Sequence, residues 1–235
     1  MVPFHPSAGI SGQQERARQT DMSHLISFEG IEGCGKTTQL KLAAKFLRKS
    51  HIPVLTTEEP GGTPLGQKIR KLLLNRGSFD ICAEAEMLLF VAARAQHCRE
   101  VLRPALARGQ WILCDRFSDA TVVYQGFVRG IDDTWIRKLD TFATSSLKPR
   151  LTLLFDLPAE TGLRRAMQRM TGIPENSRED RFEQEGLNFH EKIRDGYLSL
   201  ARQEPERFRI INAAVDIAAI HIEVCRHLDA LRQQP

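Results

Sequence analysis

Gly30-Ile31-Glu32-Gly33-Cys34-Gly35-Lys36-Thr37 follows the apolar run HLISFE at 24–29 and precedes an amphipathic stretch that begins at Lys36. This is G-x-x-x-x-G-K-[ST] in the setting its mechanism needs, strand then loop then helix. The glycines let successive backbone N–H groups wrap a polyphosphate, and the N-terminus of the following helix adds its partial positive charge. Lys36 is placed to reach the β- and γ-phosphate oxygens, and Thr37 to ligate magnesium. The loop from Gly30 to Thr38 is therefore expected to hold ATP or GTP.

Outward from this loop, short β-rich runs alternate with long amphipathic stretches. The runs are HLISFE (24–29), PVLTTE (53–58), WILCD (111–115), RLTLLFD (150–156) and RFRIIN (207–212). Helical patterning covers 36–50, 64–75, 81–108, 117–125, 132–144, 159–170, 183–203 and 216–232. Five apolar strands separated by helices imply an α/β fold with a five-stranded parallel sheet flanked by helices on both faces. Within 183–203, Leu187, His190, Ile193, Tyr197 and Leu200 recur at three- and four-residue steps, a stripe expected to face the sheet. TGIPENSREDR (171–181) carries Gly, Pro, Ser and charge without an apolar period, and is expected to be a mobile lid at about 170–182.

The 235 residues are 42% hydrophobic and 26% charged, which suits one sizeable globular core and excludes a disordered or fibrous chain. Lys and Arg number 33 against 29 Asp and Glu, and the resulting +4 is spread along the chain, so no nucleic-acid partner is expected. No uncharged apolar stretch reaches the ~18–20 residues that cross a bilayer, and the start lacks the pattern of a secretory signal. A cytoplasmic protein with no membrane partner is the expectation. Cys34, Cys82, Cys98, Cys114 and Cys225 are odd in number and widely spaced, which suggests reduced thiols rather than disulfides or a zinc site. Residues 1–22 show no periodicity, and two readings stand: a disordered extension, or a working start at Met22. The domain proper is 23–235 on either reading.

A phosphate loop alone does not separate a kinase from a GTPase switch or a motor ATPase. Asp115-Arg116 follows the strand WILC at the carboxyl edge of the sheet, where ligands of open α/β folds bind. A carboxylate there can hold magnesium, and the adjacent guanidinium can clamp a phosphate. The D-x-x-G and N-K-x-D of a GTPase do not occur. In the helical segment 84–97, Phe90 and Arg94 are four apart and share a face. A ring to stack and a guanidinium to donate suit a nucleobase, although spacing alone favours a core Phe beside a solvated Arg, and only the company of the other motifs reverses this. Cys34 faces two readings, an oxidisable thiol at a helix N-terminus or a small residue that fits the loop.

The motifs FEGIEGCGKTTQ, EEPGGTPLGQKIR, LLFVAARAQH, DRFSDATVVYQGFVRGID and DRFEQEGLNFHEKIRDGYL, in this order over residues 24–232, resemble those of the bacterial thymidylate kinases. The resemblance implies a phosphate-loop nucleoside monophosphate kinase, a homodimer, and magnesium-dependent transfer of the ATP γ-phosphoryl to dTMP on the way to dTTP. It implies Glu32 at the deoxyribose 3′-hydroxyl, with Glu59 nearby, and Arg70 and Arg116 on the dTMP phosphate. Phe90 corresponds to the residue stacking on thymine, Arg94 to the donor to its O4, and Gln125, with Thr121 one turn earlier, to the group reading the base edge. No loop position between Gly30 and Gly35 is basic, so the resemblance assigns the cation for the transferring phosphoryl to Arg178 and Arg181, with Arg169 at the lid entrance. Lys36, Asp115, Arg116, Arg178 and Arg181 form the expected catalytic set. Arg178→Ala or Arg181→Ala is expected to lower kcat far more than it weakens dTMP binding.

The chain departs from the family pattern at Glu58, where many members carry Arg, at Phe117 for the commoner Tyr, and at Asn212 for Asp. The competing readings are a kinase for another pyrimidine monophosphate, and a nucleotide-binding regulator without turnover.

Overall fold

The computed structural model describes residues 24–74, 80–172, 174 and 178–233, and in it the five apolar runs form five parallel strands. They are β1 (Leu25–Glu29), β2 (Val54–Glu58), β3 (Trp111–Asp115), β4 (Leu151–Asp156) and β5 (Phe208–Asn212). Their order is β2-β3-β1-β4-β5. β1 thus lies at the centre, and its carboxyl end meets that of β3, with Phe28 opposite Asp115. All five residues of β1 are buried, as helices on both faces require of a central parallel strand.

The helices are α1 (Lys36–Lys49), α2 (Pro64–Leu74), α3 (Ala83–His97), α4 (Arg103–Ala107), α5 (Ser118–Thr121), α6 (Asp133–Thr144), α7 (Ala159–Met170), α8 (Leu187–Gln203) and α9 (Ile217–Arg232). Leu40, Ala43, Ala44 and Leu47 of α1 and Ile193, Tyr197 and Leu200 of α8 join Ile26, Phe28, Leu153 and Phe155 in the main core. A smaller cluster of Leu25, Leu102, Leu106, Ile112 and Phe117 forms beside it. Asp132 caps α6 by accepting from the Thr134 amide at 2.7 Å, and Asp216 caps α9 through the amides of Ala218 and Ala219.

Three expectations are corrected. The stretch 81–108 is not one α-helix: α3 passes through a π-helical turn at Cys98–Leu102 into α4. The stretch 117–125 becomes α5 followed by a π-helical segment at Val122–Val128, a wider winding that often marks functional sites. The helix expected from 183 starts at Leu187, which leaves that residue exposed at its first turn, while His190, Ile193, Tyr197 and Leu200 are buried. The expected extension at 1–22 lies outside the described residues, as do 173 and 175–177 of the expected lid.

Candidate active site

Three glycines at positive φ, Gly30 (138°), Gly33 (73°) and Gly35 (92°), turn the chain from β1 into α1. Gly33 is also needed for space, because a Cβ there would stand 2.0 Å from the carbonyl oxygen of Gly162 on α7. Lys36 Nζ donates to the carbonyls of Gly30 (3.0 Å) and Ile31 (2.8 Å) and lies 3.5 Å from Cys34 Sγ. Cys34 is buried, which favours its reading as a small residue fitting the loop. Thr37 Oγ1 donates to Asp115 Oδ2 at 2.5 Å, so residues 78 apart meet where the sheet order joins β1 and β3. Among the described residues no three His, Cys, Asp or Glu converge as metal ligands. The hydroxyl and carboxylate of Thr37 and Asp115 are hard oxygen donors suited to magnesium, which keeps most of its shell for water and phosphate.

A cleft of about 220 Å³ runs from this loop to a second slot. Glu32, Gly33, Gly35, Lys36, Thr37, Thr38 and Asp115 line one end; Glu59, Arg70, Phe90, Arg94, Arg116, Thr121 and Gln125 line the rest. Gly30, Ile31, Cys34, Arg178 and Arg181 are not among the residues that line it, whereas Arg169 is. Arg181 Nη2 donates to Glu86 Oε2 and its Nε to the Leu73 carbonyl, both at 2.5 Å, which turns its guanidinium from the phosphate end. The cleft-facing cation of the three candidates near the lid is thus Arg169.

Arg94 is almost fully buried, so the reading of a solvated edge is excluded. Its Nε donates to Glu59 Oε2 (2.7 Å), Nη1 to Asp140 Oδ1 (3.2 Å), and Nη2 to the Phe117 carbonyl (3.2 Å) and Thr121 Oγ1 (2.9 Å). Four of its five N–H groups are thereby engaged by described residues, which leaves one on Nη1 to present to the cleft. Burial pushes the Glu59 carboxyl up, but Arg94 and His97 outweigh it and hold Glu59 below the usual carboxylate range. His97 completes this cluster, with Nδ1 2.8 Å from Glu59 Oε1 and Nε2 2.7 Å from Thr57 Oγ1.

Gln125 Nε2 donates to Glu86 Oε1 at 2.8 Å. The carboxylate selects the amide's NH2 side, so its carbonyl oxygen is the end left to accept from a base edge. Glu86 also binds Arg181 and lies 3.7 Å from Arg129 Nε. Phe90 is half-buried and borders the cleft, with its ring 6.5 Å from that of Phe182.

Arg116 stands at φ 67°, a left-handed backbone rare outside glycine and a mark of functional strain. Its Nη2 donates to Glu32 Oε1 (2.7 Å), and its guanidinium lies over the Tyr124 ring at 5.0 Å. Tyr124 OH also donates to Glu32 Oε1 at 2.6 Å. Burial raises the Glu32 carboxyl, but Arg116, then His190, Lys36 and Tyr124 together hold it far below the usual range. Glu32 Oε2 is buried with no well-aligned donor, although His190 Nδ1 stands 3.3 Å away. Arg70, by contrast, is held by carboxylates: Nε by Glu179 (2.7 Å) and Nη1 by Glu58 (3.3 Å). The acid at position 58 thus does more than lack a cation, because it occupies Arg70 Nη1.

Glu29 is fully buried beside this network. Burial and then Asp119 push its carboxyl up to about 7, against Arg116 and the hydrogen bonds from Ser27 and Tyr197. A carboxyl raised on folding stabilises most below its ordinary 4.5 and loses that contribution as pH rises through about 7. Unfolding free energy from urea titrations is therefore expected to carry a falling component between these values that Glu29→Gln removes; an identical pH slope in the variant refutes it.

Sequence reasoning did not single out Glu29, Glu86, His97, Tyr124, Asp140 or Phe182, and it placed His190 and Tyr197 only on the stripe facing the sheet. Glu86 had a signal, since it lies four residues before Phe90 and eight before Arg94 on the same helical face.

A loop shaped for a polyphosphate shares one cleft with an aromatic and cationic slot, and this defines a phosphate-loop kinase, in which donor and acceptor must meet in line. The sequence profile of the family described as thymidylate kinase matches residues 28–224. A thymidylate kinase of Syntrophus aciditrophicus (strain SB) is 83% identical over 214 residues, covering 91% of this chain and 98% of the relative. One from Geotalea daltonii is 50% identical over 203 residues, 86% of this chain and 95% of the relative. The crystal structure of thymidylate kinase from Ehrlichia chaffeensis superposes with a TM-score of 0.68 at 31% identity, covering 87% of this chain and 97% of that one. The chain belongs to the thymidylate kinase family. No helix among the described residues is long and apolar enough to cross a membrane.

Proposed function

We propose that this enzyme transfers the γ-phosphoryl of ATP to dTMP, giving dTDP and ADP, a step towards dTTP. The observation that carries the reading is the single cleft in which Lys36, Thr37 and Asp115 face Arg70, Phe90, Arg94, Arg116 and Gln125. The backbone amides of Gly30 to Thr38 and Lys36 bind the ATP phosphates. Magnesium, held through Thr37 and Asp115, neutralises charge on the β- and γ-phosphates when bound. Arg70, once released by Glu58 and Glu179, and Arg116 hold the dTMP phosphate. Phe90 stacks on thymine, Arg94 donates its remaining Nη1 hydrogen to O4, and Gln125 with Thr121 meets the base edge. Glu32, whose Oε2 lies 3.3 Å from His190 Nδ1, accepts from the 3′-hydroxyl, with Glu59 supporting the slot through Arg94.

The attacking oxygen belongs to a phosphate already ionised at neutral pH, so no strong general base is required, and exclusion of water favours transfer over hydrolysis. For the lid, Arg169 faces the cleft, while a role for Arg181 requires release of Glu86. Arg178→Ala and Arg181→Ala are expected to lower kcat more than they raise KM for dTMP; unchanged turnover in both sinks the lid role.

A homodimer is part of the proposal. Trp135 and Phe142 are 61% and 83% exposed and seven residues apart on α6, which packs against α3, where Leu88 is 51% exposed. So large an apolar face on a kinase fold suits a second copy of the chain. Phe142→Asp is expected to halve the mass seen by sedimentation equilibrium, and a monomeric parent chain refutes the dimer. The substrates and the five free thiols suit a cytoplasmic place of action.

The test is steady-state ADP release with magnesium and ATP across dTMP, dUMP, UMP, CMP and no acceptor. Fastest turnover on dTMP supports the reading. Loss of one methyl contact is worth only ~1–3 kcal/mol, so dUMP is expected to be a poor substrate rather than an excluded one. Faster turnover on another monophosphate overturns the base-reading roles, and nucleotide binding without turnover favours a regulator.

A further inference from the structure

We propose that Glu29 is a positioning residue that fixes Arg116 from both ends, through the Phe117 amide and through the Tyr197 hydroxyl. The inference rests on Arg116 holding the acceptor phosphate. Glu29 is the last residue of β1, where a central parallel strand would otherwise carry Val or Ile, and a buried carboxylate is costly unless it is fully hydrogen-bonded. Its Oε1 accepts from the amide of Phe117, the residue after Arg116, at 2.7 Å, and from Ser27 Oγ at 2.6 Å. Its Oε2 accepts from Tyr197 OH at 2.7 Å, and that same hydroxyl oxygen accepts from Arg116 Nη1 at 3.0 Å.

One carboxylate therefore holds the backbone just after Arg116 and, through a single hydroxyl, its guanidinium. The need for such a grip is visible in the backbone: Arg116 stands in the left-handed region at φ 67°, a conformation that persists only where surroundings over-determine it. The Arg116 amide is fixed to the Phe28 carbonyl at 3.1 Å. Burial and then Glu29 push the Tyr197 hydroxyl well above its usual range, with Arg116 opposing, so it keeps its proton and remains a donor to Glu29. Asp119, the carboxylate nearest in effect to Glu29, is engaged by Arg207 in two contacts of 2.7 Å. That leaves Glu29 free to serve Arg116. Glu32 binds the opposite side of the guanidinium, Nη2, and faces the cleft. Glu29 and Tyr197 orient the cation from behind.

The test uses the full-length enzyme and the variants Tyr197→Phe, Glu29→Gln and Arg116→Lys, with KM for dTMP and for ATP measured separately beside the melting temperature. Tyr197→Phe removes one hydroxyl and keeps the ring, so it retains the fold if the more buried Glu29→Gln does not. Loss of one charge-assisted contact is expected to raise KM for dTMP about tenfold in Tyr197→Phe, with KM for ATP within about twofold. Equal shifts in both constants, or neither, while Arg116→Lys raises KM for dTMP, leave Arg116 in its role and overturn the inference. An unchanged KM for dTMP in Arg116→Lys overturns the assignment of Arg116 and the inference with it.

Discussion

Lys36→Ala is expected to lower kcat by about 10³-fold, with KM for dTMP changed less than about threefold. Removing one preorganised donor from a developing oxyanion costs roughly 3–4 kcal/mol in the transition state, and Lys36 is the only basic side chain in the loop between Gly30 and Thr37. Its ammonium is tethered to the carbonyls of Gly30 and Ile31, so it is held at the loop before any phosphate arrives. The residues proposed to hold dTMP line the rest of the cleft, and this is why dTMP affinity should survive. The measurement is ADP release under saturating dTMP, with a thermal melt to show that the fold is intact. A kcat within tenfold of the parent enzyme would remove Lys36 from the catalytic set.

Arg94→Ala is expected to destabilise the protein by about 3–5 kcal/mol, the usual consequence of removing one partner from a buried ion pair. The guanidinium and the Glu59 carboxylate are 2% and 4% exposed, so solvent cannot replace the lost partner. Asp140, Thr121 and the Phe117 carbonyl lose a donor at the same time. The pH dependence has a definite sign. Arg94 and His97 hold Glu59 below its ordinary value against the effect of burial, so its contribution is present above about 4.5 and is lost as pH falls through the folded value. The stability difference between parent and variant should therefore be largest near neutrality and shrink in acid, as read by urea midpoints at pH 7 and pH 4. Arg94→Lys is expected to recover part of the stability but not dTMP affinity, because a single ammonium cannot serve Glu59, Thr121 and a base carbonyl together. A pH-independent difference would assign the loss to packing instead of charge.

The large effect at Arg94 also shows where patterns run out. Its spacing from Phe90 by itself favoured a solvated edge over base recognition, because four-residue spacing says only that two side chains share a helical face. Burial settled which face it was. Glu58 was legible as a departure from the family pattern, but not as the partner of Arg70, because that pair depends on β2 ending beside α2. The lid arginines were legible as charge in a Gly/Pro/Ser segment, yet Arg181 reaches Glu86, 95 residues earlier.

The sequence by itself determined the phosphate loop, the five strands to within one residue at their starts, and the family. These are local facts: glycine backbone freedom, alternation of apolar runs, and chemistry carried by contiguous motifs. The tertiary structure alone decided the pairings across chain distance, such as His97 with Glu59, 38 residues apart, Arg116 with Tyr197, 81 apart, and Tyr197 with Glu29, 168 apart. Such pairs follow from the strand order β2-β3-β1-β4-β5 and the helices packed over it, which no periodicity encodes. The π-helical winding at Val122–Val128 belongs with them, since it turns Tyr124 towards Glu32 and its neighbour Gln125 towards Glu86. An ordinary helical period does not anticipate that division, because the widened turn is set by packing against α8 and α6.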